Sequence, residues 1–131
     1  MSRVWLVPVV VALLAAGAGA ADTVKLADVK TEWQNLYGAI VYAASGAIHN
    51  TGTTPVRAVK VRVELFDKDG KPVAQREGYN LSAEILDEKP ADIDKVKPIA
   101  AGGTDSLRLW IDKADIPRPF RTAKVTIVDV R

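Results

Sequence analysis

The sequence predicts an all-β domain, an antiparallel β-sandwich of about seven strands, and three observations predict it. Val59, Val61, Val63 and Leu65 alternate with Lys60, Arg62 and Glu64, a period of two that gives a strand one buried and one wet face. Short apolar runs recur between turn-forming groups such as Asn50-Thr51-Gly52, Asp67-Lys68-Asp69-Gly70 and Ala101-Gly102-Gly103. No strong amphipathic helix lies between them, so no crossover helix is available to join parallel strands. A closed barrel is the alternative arrangement of the same strands.

The chain opens on an address. Met1-Ser2-Arg3 is a short positive region, residues 4–16 are almost wholly apolar apart from Pro8, and Ala18-Gly19-Ala20 puts small residues at the −3 and −1 positions. Positive, apolar, small is the grammar of a bacterial-type signal peptide. It predicts a leader over residues 1–20, cleavage after Ala20 with Ala21 as the next choice, and a domain over 21–131. The apolar run is short for a membrane span, which needs about 20 residues. An uncleaved N-terminal anchor is the alternative, and the one route by which the chain would touch a membrane. The absence of cysteine excludes a lipoprotein anchor.

The strands follow in order. Residues 24–33 form the first, with alternation that slips between Leu26 and Val29, as a β-bulge would make it. Residues 38–49 form the second, with Ile40, Tyr42, Ala44, Gly46 and Ile48 on one face; the small Ala44 and Gly46 suggest close approach by an opposing layer. Residues 56–67 form the third and end in the Asp67–Gly70 turn. The return strand starts at Lys71-Pro72-Val73, where Pro72 belongs at a strand start or on an edge because it cannot donate to a ladder. Leu107, Leu109 and Ile111 mark another strand, and residues 124–131 the last, with Val125 and Ile127 inward and a bulge before Val128. The charged stretch 82–103 has no clear period. It suits a short helix or strand around Ile85-Leu86, in a connection long enough to be functional or mobile.

Composition excludes several chemistries. The 131 residues contain no cysteine and one histidine, which removes disulfides, thiolate nucleophiles and multi-histidine metal sites. The net charge is +2, and loss of Arg3 with the leader leaves +1, no electrostatic footprint for nucleic acid. His49 sits four residues from Ser45 on one strand, roughly 13 Å away at about 3.3 Å per residue, too far for a nucleophile–base pair. Asp67-x-Asp69-Gly70 fails as a calcium loop, since the sixth and twelfth positions hold Pro72 and Gly78. The lysines among Asp87, Glu88, Asp92 and Asp94 point to a solvated loop rather than a cation site. Asn80-Leu81-Ser82 matches a glycosylation sequon by chance. No catalytic residue, cofactor or metal is expected.

Trp110 departs from its strand. Leu107, Leu109 and Ile111 claim the inner face, which puts Trp110 outside with Arg108 and Asp112. An outward Trp beside an Arg has the composition of an interface hot spot, and Arg108, Trp110 and Phe120 are the candidate partner-binding residues. The blander alternative covers Trp110 with the Pro117-Arg118-Pro119-Phe120 segment. Trp33 and Tyr37, near the first turn, are weaker candidates; Lys60 and Arg62 line a solvated face.

The central hairpin resembles a known family. Gly46-Ala47-Ile48-His49-Asn50-Thr51-Gly52 is similar to the G-x-V-x-N strand end of the FxLYD-type domain. Val63-Glu64-Leu65-Phe66-Asp67 stands where that family has Phe-x-Leu-Tyr-Asp, with Val63 in place of Phe and Phe66 in place of Tyr. Pro98 to Gly103, ahead of Leu107 and Leu109, resembles the loop that often reads Pro-Gly. The similarity covers roughly residues 38–112. It implies an immunoglobulin-like sandwich in an exported or cell-surface protein and carries no catalytic residues. The functional expectation is therefore a non-enzymatic binding module outside the cytoplasm, periplasmic favoured over extracellular. Its partner would be an unknown protein or envelope component. The alternative is a purely structural accessory domain of an envelope assembly.

Overall fold

The computed structural model describes residues 9–13 and 23–131. Among the described residues seven strands are present: β1 (Val9–Leu13), β2 (Val24–Leu36), β3 (Ala39–Asn50), β4 (Val59–Phe66), β5 (Pro72–Tyr79), β6 (Thr104–Asp112) and β7 (Thr122–Val130). They form two sheets, ordered β2-β3-β6 and β1-β7-β4-β5. The chain changes sheet after β1, after β3, after β5 and after β6. No ladder joins the two sheets among the described residues, so they make a sandwich and not a barrel.

Alternation decides which side chains meet. Val59, Val61, Val63 and Leu65 of β4 face inward and are at most 1 % exposed, as their period requires. They pack with Tyr42, Ala44 and Ile48 of β3, Leu107, Leu109 and Ile111 of β6, and Ala123, Val125 and Ile127 of β7. On the outer face of β4, Arg62 donates to Glu77 at 2.7 Å and Lys60 lies 3.8 Å from the same carboxylate. This is the solvated face the sequence predicts.

Two irregularities fall where alternation slips. The β2–β3 register shifts between Ala27 and Lys30, with Asp28 at a positive φ of 54°. The β4–β7 register shifts between Lys60 and Val61, which leaves Val128 out of step. The β2 bulge also corrects the reading of Gly46. A Cβ there would meet Ala27 O at 3.0 Å and Val29 at 3.1 Å, so the close approach comes from the bulged neighbouring strand, not from the opposing layer. Ile40 departs from its predicted inner face too, being 39 % exposed beside the Tyr37-Gly38 turn, while Val41 and Ala43 on the other row are buried. Their register neighbours are the longer Gln34 and Asp112 for Val41, and Glu32 and Trp110 for Ala43.

The Asp67–Gly70 turn is organised by one carboxylate. Asp67 accepts from the amides of Asp69 at 2.8 Å and Lys71 at 2.9 Å, and from the Arg118 guanidinium. Arg118 also donates to Pro72 O, which ties the loop before β7 to the start of β5. The Arg118 bond first, and the Lys71 amide next, pull the Asp67 pKa down from 3.8 to about 2. A carboxyl lowered in the folded state stabilises it fully above the unfolded value and loses that contribution as pH falls through the folded one. The gap in urea midpoint between the parent and Asp67→Asn should therefore be constant above about pH 5 and shrink between about pH 4 and 2. A gap that does not change over that interval would refute the link.

Residues 82–103, left open by the sequence, carry two short 3-10 helices, Leu81–Asp87 and Pro90–Lys95, and then an isolated bridge between Val56 and Ile99. Ala83, Leu86 and Val96 pack with Ala58 and Tyr79 in a second small core. The segment is thus a packed flank of the sandwich.

The N-terminal reading meets a finding of a different kind. Val9–Leu13, inside the segment read as a leader, pairs in parallel with Ala123–Ile127 of β7. The fold is therefore not wholly antiparallel. The crossover rule fails here because the connection between β1 and β7 is the domain itself, which needs no helix. The expected cleavage position at Ala20 lies outside the described residues.

Candidate functional site

A cleft of about 420 Å³ opens where the edge of one sheet meets the edge of the other, and the sequence around it explains why. β5 and β6 are edge strands of opposite sheets. They approach closely because β5 has Gly78 on its inward row: a Cβ there would lie 2.2 Å from Leu109 Cδ2. Arg76 occupies the same row as Gly78, opposite Val63 in register. Instead of entering the core, it crosses the gap. Its guanidinium donates to the Trp110 carbonyl at 2.8 Å and lies 5.8 Å from the Trp110 ring centroid, within cation–π range. A backbone acceptor on the β6 edge is thereby occupied by a side chain.

The third wall is the Leu81–Asp87 helix, placed by a polar anchor. Asn80 is fully buried; it accepts from the Val59 amide at 2.9 Å and donates to Asp105 at 2.7 Å. Asp105 also accepts from the Ser82 amide and hydroxyl. Burial acts to raise the Asp105 pKa, but the bonds from Ser82, Asn80 and the Ser106 amide outweigh it and hold the carboxyl below its ordinary value. This site also disposes of the sequon, since an amide buried and bonded on both sides has no room for a glycan.

The lining is amphoteric. Arg76 and Arg108 stand on the strand side, Glu84, Asp87 and Glu88 on the helix side, with Tyr79, Leu109, Ile85 and Trp110 between. Trp110 and Ile85 remain 38 % and 42 % exposed, a partly open apolar ledge above charged walls. Burial pushes the Asp87 carboxyl up; the Tyr79 amide, Arg76 and Lys60 oppose it. No model of a known protein family matches this sequence, and comparison with curated proteins and with solved structures gives no match either. The cleft's meaning must come from its own chemistry. Its lining offers guanidinium donors, carboxylate acceptors, a phenol and an indole face.

The structure brings together two of the three predicted binding residues. Arg108 and Trp110 line the cleft. Phe120 does not: its ring is 4.7 Å from Tyr42 and 5.8 Å from Trp33 between centroids, closing the inner face at another end of the sandwich. Tyr42 adds a 2.6 Å hydrogen bond with Thr31 to this cluster. The cover imagined for Trp110 is therefore used elsewhere, because Tyr42 belongs to the inner row and Trp110 to the outer. Trp33 is packed in the same cluster, while Tyr37 is fully exposed at the hairpin tip. His49 is half-buried on the outer row of β3, in register with Lys25 and Thr104. Among the described residues, no three His, Asp or Glu side chains converge as a metal site would need. Sequence reasoning missed Arg76, although an arginine on the inward row of a strand is a signal in itself.

Proposed function

We propose that this protein is an exported, non-enzymatic binding module, an immunoglobulin-like sandwich of FxLYD type that engages a protein of the cell envelope through the cleft between β5, the Leu81–Asp87 helix and β6. One observation carries the reading: Trp110, stacked by Arg76, stands partly exposed on the rim of a preformed cleft. Trp and Arg dominate the binding energy of protein interfaces. A guanidinium already held in place loses less freedom on binding than a free one.

The strand order supports the immunoglobulin-like assignment. β2-β3-β6 corresponds to strands A-B-E of such a domain, and β7-β4-β5 to F-C and an added C′. Export is supported by the leader grammar of residues 1–20. Capture from envelope extracts tests the reading. Trp110→Ala should weaken binding of the captured protein by about 30-fold or more, the effect of a hot spot of about 2 kcal/mol, with an unchanged melting temperature. A partner retained at full affinity by Trp110→Ala would move the site elsewhere. No partner at all would favour the structural accessory domain.

A further inference from the structure

We propose that the edge of β7 is a strand-acceptor site, filled in the processed protein by an extended, uncharged, β-branched segment of a partner protein running parallel to β7. The inference rests on residues 1–20 being a leader that is removed. In the full chain, Val9–Leu13 pairs along five residues with Ala123–Ile127. The other neighbour of β7 is β4. Loss of β1 therefore uncovers a whole row of backbone donors and acceptors on β7. Strand addition uses such an edge: main-chain hydrogen bonds supply affinity and alternate side chains supply specificity.

The other edges are blunted, and this one is not. β5 begins with Pro72 and turns a charged Arg76 inward. The Leu81–Asp87 helix and Arg76 stand against the edge of β6. β2 is bulged at Asp28. Proline, inward charge, a covering element and a bulge are the devices by which proteins protect edges. β7 has nine residues, no proline, and Lys124 as the sole charge among the five that pair with β1.

The rows of β7 specify the occupant. Ala123, Val125 and Ile127 belong to the buried core, so the partner residues continuing that row must be apolar. The other row contains Thr126, which is 1 % exposed and whose hydroxyl has no hydrogen-bond partner. A buried orphan hydroxyl is costly. Its register partner is Ala12, a residue type with no polar side-chain atom. The leader segment thus has the backbone direction of the proposed occupant and lacks the residue that Thr126 needs. A partner strand with Thr or Ser at that position would supply the bond.

The test uses chain exported and processed by a bacterial host, with its mass fixing the N-terminus, and unprocessed full chain beside it. The probe is a peptide carrying the Val9–Leu13 sequence between solubilising lysines. The processed protein should bind it, with amides of residues 123–127 gaining protection from hydrogen exchange. An Ala12→Thr peptide should bind about 2–5-fold tighter, the contribution of a cross-strand hydroxyl pair, and Thr126→Val protein should lose that gain. A Val11→Lys peptide should not bind, and neither should any peptide bind the full chain. Processed protein that gives no protection at residues 123–127 overturns the proposal alone, as does dimerisation of the processed chain through β7. An exported mass that retains residues 1–20 overturns the leader reading, and the free edge with it.

Discussion

Replacing Asn50 with alanine should lower stability by about 3 kcal/mol, the sum of two or three buried polar groups left without partners. Asn50 is 1 % exposed at the end of β3. Its amide nitrogen lies 2.9 Å from Thr54 O, 3.0 Å from Ile99 O and 3.3 Å from Ala100 O. Its side-chain oxygen accepts from the Gly52 amide at 3.1 Å. Its backbone bonds the same loop twice, to Gly103 O and from the Gly102 amide. One side chain therefore holds the β3–β4 connection against the segment that leads into β6. Alanine removes every one of these side-chain bonds and takes the amide donor away from the buried Ile99 carbonyl. For a domain near 100 residues the loss corresponds to a fall of roughly 10–20 °C in Tm. Asn50→Asp should cost at least as much at neutral pH, because it keeps the acceptor and turns a carboxylate toward carbonyl oxygens. Urea unfolding of the three proteins decides it: a loss below about 1 kcal/mol for Asn50→Ala would mean that water replaces the amide.

The same residue shows what a sequence can and cannot disclose. Asn50-Thr51-Gly52 is legible as a turn, because those residue types favour turns through local geometry. That Asn50 reaches Ile99, 49 positions away, is a tertiary fact with no local trace. The pattern repeats across the fold. Val59 to Leu65 declare their strand because burial of one face imposes a period of two, and the irregularities in β2 and β7 declare themselves as breaks in that period, whereas the third, where β5 skips Val73 opposite Leu65 and Phe66, leaves no such trace. Residues 82–103 are illegible because 3-10 turns impose no extended period. They are held instead by Asn80 and Asp105, whose partners lie about 25 residues apart.

The candidate site divides along the same line. Alternation assigns Trp110 to the outer row, and the structure agrees. Alternation cannot say what stands opposite, so Arg76, 34 residues away, goes unnoticed. Phe120 cannot be assigned a face from sequence because the loop after Pro117 and Pro119 has no period, and the aromatic cluster with Trp33 and Tyr42 claims it. Faces follow from a strand's own sequence, whereas the meeting of two edges depends on which strands the topology makes neighbours.

Gly78→Ala should destabilise the domain by about 1–3 kcal/mol and should also disturb the cleft, because the added methyl falls where β5 and β6 touch. The new Cβ would stand 2.2 Å from Leu109 Cδ2, far inside contact distance, with Asp87 at 3.7 Å on the far side. Leu109 is 6 % exposed and packed in the main core, so its side chain has little free space to enter. Either Leu109 leaves its rotamer or β5 moves away from β6, and the second course carries Arg76 away from the Trp110 carbonyl. A double-mutant cycle separates packing from any intrinsic effect of glycine in a strand. In a Leu109→Ala background the clash is gone, and Gly78→Ala should then be neutral or slightly stabilising, since alanine loses less backbone entropy than glycine. The coupling energy between the two positions should be about 1–3 kcal/mol. Additive costs would show that the methyl is absorbed without contact between these residues, and the close approach of the two sheet edges could not then be what shapes the site.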